Sequence, residues 1–232
     1  MFKKLNSKKL IFKRFNSKRS NLWIINQFAN TPDMPGGSRH YELAEYFASQ
    51  NLQVNVFSSD FNLATRSFLR LNNYQYFKTE RIKNIEWNWL KVYAYKKNNW
   101  KRYINLISFC LNLLIVNTFI GFKKSLPDII IASSPQLIAA FQSLIFAKIF
   151  RKKFIFEVRD IWPQILVDLG GSNPNSLFIR ILKIMEITLY KYSDLVVVLS
   201  KGAKSYVINN GASNVVWLPN GPNLKKFTFS DL

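Results

Sequence analysis

Three charged residues stand at the end of an apolar run in the second half of the chain. Residues 154–156 are apolar, and Glu157, Arg159 and Asp160 come directly after them. Charged groups at the end of a buried strand are costly unless they pair with one another or meet a ligand. Because side chains alternate along a strand, Glu157 and Arg159 share one side and Asp160 takes the other. An ion pair between Glu157 and Arg159 is the simplest structural expectation, and it leaves Asp160 without an obvious structural role.

A second candidate site is the loop that contains Gly36 and Gly37. It follows an apolar run, 22–28, and precedes a helix predicted at about 38–50. Two glycines let the backbone approach a ligand closely, and the free amide groups and positive dipole end of a helix N-terminus suit a diphosphate. The spacing is not the Gly-x-Gly-x-x-Gly dinucleotide fingerprint, so NAD and FAD are not indicated. A plain tight turn would explain the two glycines equally well.

His40 is the only histidine of the chain. It shares a helical face with Leu43, Ala44 and Phe47, which favours a packing role, but its place one turn into the helix also allows it to reach a ligand. Both interpretations stay open. The sequence contains no Ser-His-Asp set, metal-ligand cluster, P-loop or His-Glu-x-x-His motif, so it gives no indication of the corresponding hydrolase, nucleotide-hydrolysing or zinc chemistry.

Strands and helices alternate along the chain from residue 22. Buried strands are predicted at 22–28, 53–58, 128–132, 154–158, 195–199 and 214–218, with an outer strand at 90–95. Helices are predicted at 38–50, 134–150, 173–192 and 201–209, and residues 60–88 give no clear assignment. Apolar strands separated by helices indicate an α/β, Rossmann-like fold, with a parallel sheet covered by helices on both faces. The carboxyl ends of the strands then meet at one edge, where ligands bind.

Two of these helices begin at recognisable signals. Ser134-Pro135 is typical of a helix start, with serine as the cap and proline at the first helical position. Asn173-Pro174 precedes apolar residues that recur at spacings of three and four, which predicts a helix with one buried face.

Residues 103–122 form an uncharged run of 20 residues between Lys101-Arg102 and Lys123-Lys124. The run is long enough to span a bilayer. Its three asparagines and its place inside the α/β alternation argue against a span, which would separate two parts of one sheet. Two alternatives remain open: a crossover helix packed on the sheet, or a helix that rests in the membrane interface between its basic flanks.

The formal net charge of +20 requires an anionic environment or partner. The first 20 residues hold eight lysines and arginines and no acid, with apolar residues between them. This basic arm could lie on an anionic membrane or on RNA, or serve as a solubilising tail. It does not read as a signal peptide, because no long apolar run follows it before Trp23. Cys110 is the only cysteine, which excludes an intrachain disulfide and fits a reducing, cytoplasmic setting.

Three segments, in this order, resemble the N-terminal domain of family 4 glycosyltransferases, which have the two-domain GT-B architecture. Residues 35–39 with Leu43-Ala44 are similar to the first loop and helix of that family. Residues 157–164 with 168–171 resemble a subgroup that builds bacterial O-antigen and capsule sugars. Residues 218–223 with Phe227 are similar to the hallmark that precedes the interdomain linker. The resemblance extends from about Leu22 to Phe227.

This resemblance implies transfer of a sugar, hexosyl or aminosugar, from a nucleotide-sugar donor with retention of configuration and without a metal or cofactor. Gly36, Gly37 and Ser38 would bind the donor diphosphate. Asp160 stands where the family has an acidic residue or histidine near the reacting centre, so it is the predicted catalytic residue. The residues expected to contact the acceptor or substrate are Arg39, His40, Glu157, Arg159 and Trp162.

The resemblance also implies a lipid-linked or polysaccharide acceptor in cell-surface glycan synthesis. The expected location is the cytoplasm, peripherally on the inner face of the plasma membrane, with anionic lipid as a partner; nucleic acid is not expected. We predict a basic arm at 1–20 and one domain at 21–232. The family's second domain, which carries most donor contacts, would begin near Leu232, so we expect the chain alone to be inactive. A non-catalytic membrane-recruiting module of a split enzyme is the alternative.

Overall fold

The computed structural model describes residues 20–97, 100–123, 126–168 and 173–221. All of the basic arm except Ser20 lies outside these residues, as do Gly170, Gly171 and the segment after Gly221. The helices are α1 (Arg39–Ser49), α2 (Lys101–Lys123), α3 (Leu137–Ile149), α4 (Gln164–Asp168), α5 (Leu177–Tyr192) and α6 (Ala203–Asn209). The strands are β1 (Asn21–Ile25), β2 (Gln53–Ser59), β3 (Phe61–Asn62), β4 (Ser67–Phe68), β5 (Phe77–Ile82), β6 (Ile85–Leu90), β7 (Ile129–Ser133), β8 (Lys153–Val158), β9 (Leu195–Val198) and β10 (Val215–Trp217).

Eight of these strands form one sheet in the order β10-β9-β8-β7-β1-β2-β6-β5. Every neighbouring pair is parallel except β5 with β6, a hairpin at the sheet edge. β3 and β4 pair separately. After β6 the chain crosses through α2, back past β2 and β1, to β7, so the strand order reverses beside β1. Sites in open α/β sheets form at such a switch point, at the carboxyl ends of the strands.

Alternate side chains of the central strands supply two cores. On one face, Trp23 and Ile25 of β1 pack in a cluster with buried residues of α2, α3, α5 and α6. On the other face, Leu22 and Ile24 pack with α1. Because both faces of β1 are covered, its apolar residues are continuous rather than alternating, as expected for a buried parallel strand. The predicted fold class is thus confirmed.

The prediction of an outer strand at 90–95 is wrong. The strand ends at Leu90, and Lys91 begins a segment without regular structure. The alternation arises because Val92 and Tyr95 are buried in the core, while the carbonyl oxygens of Lys91 and Tyr93 accept hydrogen bonds from side chains of α2 rather than from a strand. The unassigned stretch 60–88 contains β3, β4 and β5 and the start of β6.

The predicted start of a helix at Ser134-Pro135 is also wrong. Gln136 precedes α3, which begins at Leu137, and the hydroxyl of Ser134 bonds the loop after β8 instead. The helix expected from Asn173 begins at Leu177, where the hydroxyl of Ser176 accepts a hydrogen bond from the amide of Ile179 at 3.4 Å. Serine is a favourable N-cap at that position.

Helix α2 packs on the sheet as a crossover helix. Asn105 donates to the carbonyl oxygen of Tyr93 at 2.7 Å, and Asn112 donates to that of Lys91 at 2.6 Å. Gln27, which follows β1, donates to Asn105 at 2.7 Å. By length and composition α2 could cross a membrane, but these side-chain contacts fasten its inner face to the protein.

Candidate functional site

The candidate site lies where the carboxyl ends of β1, β7 and β8 meet the start of α1. Asn26 follows β1, Ser133 ends β7, and Glu157 lies next to the last residue of β8. Ser133 and Glu157 are direct partners in the register of the two strands. The parallel sheet therefore brings together polar residues that are far apart in the sequence.

The carboxylate of Glu157 is the centre of this cluster. Its Oε1 atom accepts a hydrogen bond from Nε of Arg39 at 2.8 Å. Its Oε2 atom accepts from the hydroxyl of Ser133 at 2.8 Å and lies 2.9 Å from Nε2 of His40. The same nitrogen of His40 is 3.3 Å from the side-chain amide of Asn26. Both carboxylate oxygens are thus satisfied, which is what a buried charge requires.

Glu157 is ionised despite its burial. Its side chain is 3% exposed, and burial by itself raises the pKa of a carboxyl group. Hydrogen bonds and charges from His40 and Arg39 outweigh that effect and lower the pKa of Glu157 to about 2. The site therefore holds a fixed negative charge at neutral pH, with the guanidinium of Arg39 as its neighbour.

The expected ion pair between Glu157 and Arg159 does not form. β8 ends at Val158, so the alternation of side chains stops before Arg159. Arg159 is half-buried, and its backbone amide donates to the hydroxyl of Ser134 at 2.9 Å. The partner of Glu157 is Arg39, 118 residues away along the chain.

Arg39 connects three segments. Besides Glu157, its terminal nitrogens donate to the carbonyl oxygens of Leu218 at 3.2 Å and Pro219 at 3.3 Å. Leu218 follows the edge strand β10, and its amide donates to the carbonyl oxygen of Val198 in turn. One guanidinium thus joins the start of α1, the end of β8 and the segment after the last strand, with the planar fork that suits arginine for multiple acceptors.

The loop before α1 is fixed at Gly36 and open at Gly37. Gly36 has a φ of +126°, and a Cβ atom there would lie 2.3 Å from the side-chain nitrogen of Asn30. Asn30 and Asn62 both donate to the carbonyl oxygen of Pro35, at 3.3 and 2.9 Å, and so hold the turn. A Cβ atom on Gly37 would meet no protein atom within 4 Å. Gly37 is therefore the open point of the loop.

Ser38 precedes α1, but its side chain makes no capping bond and donates instead to Glu42 at 3.1 Å. The amide groups of the first helical turn lack intrahelical acceptors by geometry. Without a capping oxygen, these donors and the positive end of the helix dipole are available to an anion at the exposed loop.

Asp160 and Trp162 lie on the loop after β8. Asp160 is exposed and Trp162 is half-buried. The hydroxyl of Ser134 accepts from the amide of Asp160 at 3.2 Å and donates to its carbonyl oxygen at 3.1 Å. The backbone of Asp160 is therefore held, while its carboxylate faces solvent at the carboxyl edge of the sheet.

Burial separates the candidate residues into three groups. Gly36, Gly37 and Asp160 are exposed, and the side chains of His40 and Glu157 are only 2% and 3% exposed. The half-buried residues are Ser38, Arg39, Arg159 and Trp162. Neither buried group can touch a ligand without movement of the loop, so the geometry favours a positioning role for both. Direct contact of either with substrate stays a prediction.

Several residues of this site were not singled out from the sequence. They are Asn26, Asn30, Asn62 and Ser133, together with Ser134, which was interpreted only as a helix cap. Ser133 and Ser134 follow an apolar run just as Glu157 does, and that common pattern is the signal that could have marked them. Among the described residues, no group of three or more His, Cys, Asp or Glu side chains could hold a metal ion.

No family model matches the chain, and no curated protein matches it significantly. Solved structures do match. Sucrose-phosphate synthase from Thermosynechococcus elongatus superimposes with a TM-score of 0.60 at 14% identity, covering 89% of this chain and 49% of that chain. TcCGT1 in complex with UDP gives 0.55 at 12% identity, covering 88% and 51%. Arabidopsis thaliana UGT89C1 complexed with UDP-L-rhamnose gives 0.50 at 14% identity, covering 93% and 51%.

The chain has the fold of one half of a GT-B glycosyltransferase. It spans about half the length of each of these structures. At such low identities the likeness establishes the fold alone, and the chemistry of this domain must be argued from its own residues.

Proposed function

We propose that this GT-B domain is the acceptor-side half of a retaining glycosyltransferase. It would move a hexosyl or aminosugar group from a nucleotide-sugar donor to a lipid-linked or polysaccharide acceptor in cell-surface glycan synthesis. The observation that carries the proposal is the meeting of the open Gly37 loop, the Arg39–Glu157 ion pair and the exposed Asp160 at one sheet edge. The resemblance to family 4 rests on the same segments.

The donor diphosphate would bind at the Gly36-Gly37 loop. The open backbone at Gly37 admits a phosphate group, and the uncapped start of α1 offers amide donors and a positive dipole end. In sugar transfer, negative charge grows on the leaving diphosphate. Hydrogen-bond donors that are held in place before the reaction therefore stabilise the transition state. The neighbours that hold UDP and UDP-L-rhamnose are consistent with a nucleotide sugar as ligand.

Asp160 would act at the reacting centre. Cleavage of the bond to the diphosphate gives the sugar ring a developing positive charge, which a nearby carboxylate stabilises. The exposed carboxylate of Asp160 is suited to this role because Ser134 holds its backbone on both sides while its side chain stays free to meet substrate. Arg159 and Trp162, on the same loop, are the proposed acceptor contacts.

The Arg39–Glu157–His40 cluster would set the distance between the donor loop and the Asp160 loop. Arg39 and His40 are the first two residues of α1, and Glu157 lies three residues before Asp160. Their contacts, at 2.8 and 2.9 Å, are shielded from water and from salt. Small displacements of catalytic groups reduce the reaction rate strongly. A buried network that fixes the two loops would therefore support catalysis at the exposed site.

The outer surface of the domain favours membrane association. α2 exposes a stripe of large apolar side chains whose members are Tyr103, Ile107, Leu111, Leu114, Ile115 and Phe119. α5 on the same side of the sheet exposes Leu177, Phe178, Ile181, Ile184 and Ile187. Lys101 and Arg102 stand at the start of α2. An apolar stripe with basic residues at its start and a strongly positive protein would suit an anionic bilayer surface. We therefore propose that the domain associates peripherally with the inner face of the plasma membrane.

The alternative is a non-catalytic membrane-recruiting module of a split enzyme. The apolar stripe on α2 favours it, because that stripe is not needed to form the sheet-edge site. In either case a second domain, in the same chain or in a partner subunit, would supply the remaining donor contacts, as expected for a chain that spans half of its structural neighbours.

The test is release of nucleoside diphosphate from a panel of nucleotide sugars, with anionic vesicles that carry bacterial lipid-linked sugars. It is run on the 232-residue chain alone and with a donor-binding second domain encoded beside it. The proposal expects release only with the second domain. Vesicle binding without release in either case, unchanged by Asp160→Ala and weakened by salt, would support the recruiting module instead.

A further inference from the structure

An apolar cavity of about 430 Å³ lies between α2, α3, α4 and α5, beside the loop that carries Asp160. One wall contains Trp162, two residues after Asp160, and another contains Pro135, next to the serine that holds the Asp160 backbone. The volume is within the usual range for sites that bind small organic molecules. No residue of the Gly36 loop or of the Glu157 cluster lines it.

The lining is almost entirely hydrocarbon. Leu106, Leu137, Ile138, Leu166 and Leu182 supply most of the wall together with aromatic rings. Gln136 is polar but already engaged: its amide nitrogen donates to Gln27 and to the carbonyl oxygen of Leu106, both at 3.0 Å. Away from Arg102, such a lining does not suit a sugar ring, so the part of an occupant that fills the cavity must be apolar.

Of the described residues that line the cavity, Arg102 alone is charged. Among the residues that the structure describes, no acidic side chain forms an ion pair with it. A half-buried guanidinium at the edge of an apolar cavity suits a ligand with an apolar body and an anionic end, and its planar fork binds a phosphate, like a carboxylate, through two parallel hydrogen bonds.

The cavity is continuous with the outer apolar surface. Tyr103, Ile107 and Phe178 line it and are also 43%, 50% and 40% exposed. Tyr103 and Phe178 touch edge to face across the gap between α2 and α5, with ring centroids 5.4 Å apart. An apolar chain can therefore pass from the exposed apolar surface of α2 and α5 into the cavity while it stays in contact with the side chains of Tyr103, Ile107 and Phe178.

We infer that this cavity binds the hydrocarbon chain of a lipid phosphate, with Arg102 paired to the phosphate. The inference rests on the proposed function, because that lipid would be the carrier of the acceptor sugar and would present it beside Asp160. The ligand class is a single apolar chain with a phosphate end. Straight alkyl and branched isoprenoid chains both satisfy it.

The experiment measures binding of decyl phosphate and geranyl phosphate to the 232-residue chain by calorimetry, below their micelle concentrations and without nucleotide. Leu106→Trp fills the cavity from its half-buried wall. Ile208→Trp adds the same side chain at an exposed position of α6, outside the cavity lining and the apolar stripes of α2 and α5, and is the control. Arg102→Gln removes the charge alone, and decanol is the uncharged ligand. Circular dichroism and urea unfolding verify that each variant is folded.

We expect Leu106→Trp to weaken binding of both phosphates about tenfold or more and Ile208→Trp to leave binding unchanged. Arg102→Gln should weaken the phosphates and not decanol, and the ratio of the two phosphates identifies the chain type. Equal binding by wild type and folded Leu106→Trp, or an equal loss of binding in Ile208→Trp, would overturn the inference. Intact lipid binding without sugar transfer would contradict the proposed function but leave the cavity assignment standing.

Discussion

Glu157 holds Arg39 through a contact of 2.8 Å between Oε1 and Nε, although 118 residues separate them in the sequence. Arg39 is the first residue of α1, and its other nitrogens reach the carbonyl oxygens of Leu218 and Pro219. The three segments that resemble family 4 glycosyltransferases are therefore physically joined at one guanidinium. Through this contact the start of α1, the end of β8 and the segment after β10 contribute to one site.

Glu157→Gln should destabilise the domain. The substitution keeps the shape but removes the charge that Arg39 and His40 share, and removing one member of a buried pair leaves the others without compensation. We expect a loss of about 2 to 4 kcal/mol in the free energy of unfolding, measured by urea denaturation at pH 7. The matched control is Glu45→Gln, which breaks the exposed contact with Lys83; a similar loss in that variant would contradict the argument.

The stability that Glu157 contributes should depend on pH in one direction. Its pKa is about 2 in the folded protein and about 4.3 in an unfolded chain. A depressed pKa means that the contribution is complete above the unfolded value and is lost as the pH falls towards the folded one. The difference in unfolding free energy between wild type and Glu157→Gln should therefore shrink by on the order of 3 kcal/mol between pH 5 and pH 2. A difference that stays constant over that range would contradict it.

Arg39→Lys should loosen the segment after β10. Lysine keeps the charge but lacks the fork that reaches Glu157 and both carbonyl oxygens together. We expect faster hydrogen exchange at the Leu218 amide, which donates to Val198 in the wild type, with little change in the central strand β1. Arg180→Lys, an exposed exchange of the same kind, is the control. Unchanged exchange at Leu218 would show that the guanidinium does not hold that segment.

The two glycines of the loop should respond differently to alanine. Gly36→Ala places a Cβ atom against Asn30 in a backbone conformation that L-residues avoid, so we expect it to lower stability by about 1 kcal/mol or more. Gly37→Ala meets open space and should leave stability within about 0.5 kcal/mol. Its methyl group would instead occupy the approach of the donor phosphates. For Gly37→Ala we expect a loss of sugar-transfer activity with an unchanged free energy of unfolding. Full activity of this variant would show that the loop is not part of the donor site.

The central strands were predictable because their surroundings leave a simple mark on the sequence. Leu22–Ile25 and Ile129–Ile131 are covered on both faces, so they are apolar throughout. The same pattern gave a wrong prediction of a strand at 90–95. Val92 and Tyr95 are buried because this segment packs against α2, and no strand among the described residues pairs with it. Burial produces the alternation of apolar and polar residues. Whether such a segment is a strand depends on its backbone hydrogen-bond partners, which the sequence pattern does not reveal.

Only part of the site was predictable from the sequence, and its contacts were not. Charges after an apolar run marked Glu157 and Asp160 correctly as residues at the sheet edge. The partner of Glu157 could not be found, because neighbouring Arg159 was the only candidate that local alternation could supply. Arg39 and His40 reach Glu157 through the order of the parallel strands. The end of β8 at Val158 removes Arg159 from the same side.

The most direct test of the account is transfer of labelled sugar from a nucleotide-sugar donor to a lipid-linked acceptor, comparing wild type with Asp160→Asn. Both are assayed with the second domain, and the anomeric configuration of the product is read by NMR. Because Asp160 is exposed and its neighbours bind only its backbone, Asp160→Asn should leave unfolding within about 0.5 kcal/mol of wild type. The account predicts a retained configuration and a rate lower by about 100-fold or more in the variant. Equal rates in the two proteins, or no transfer by wild type from any donor, would contradict it.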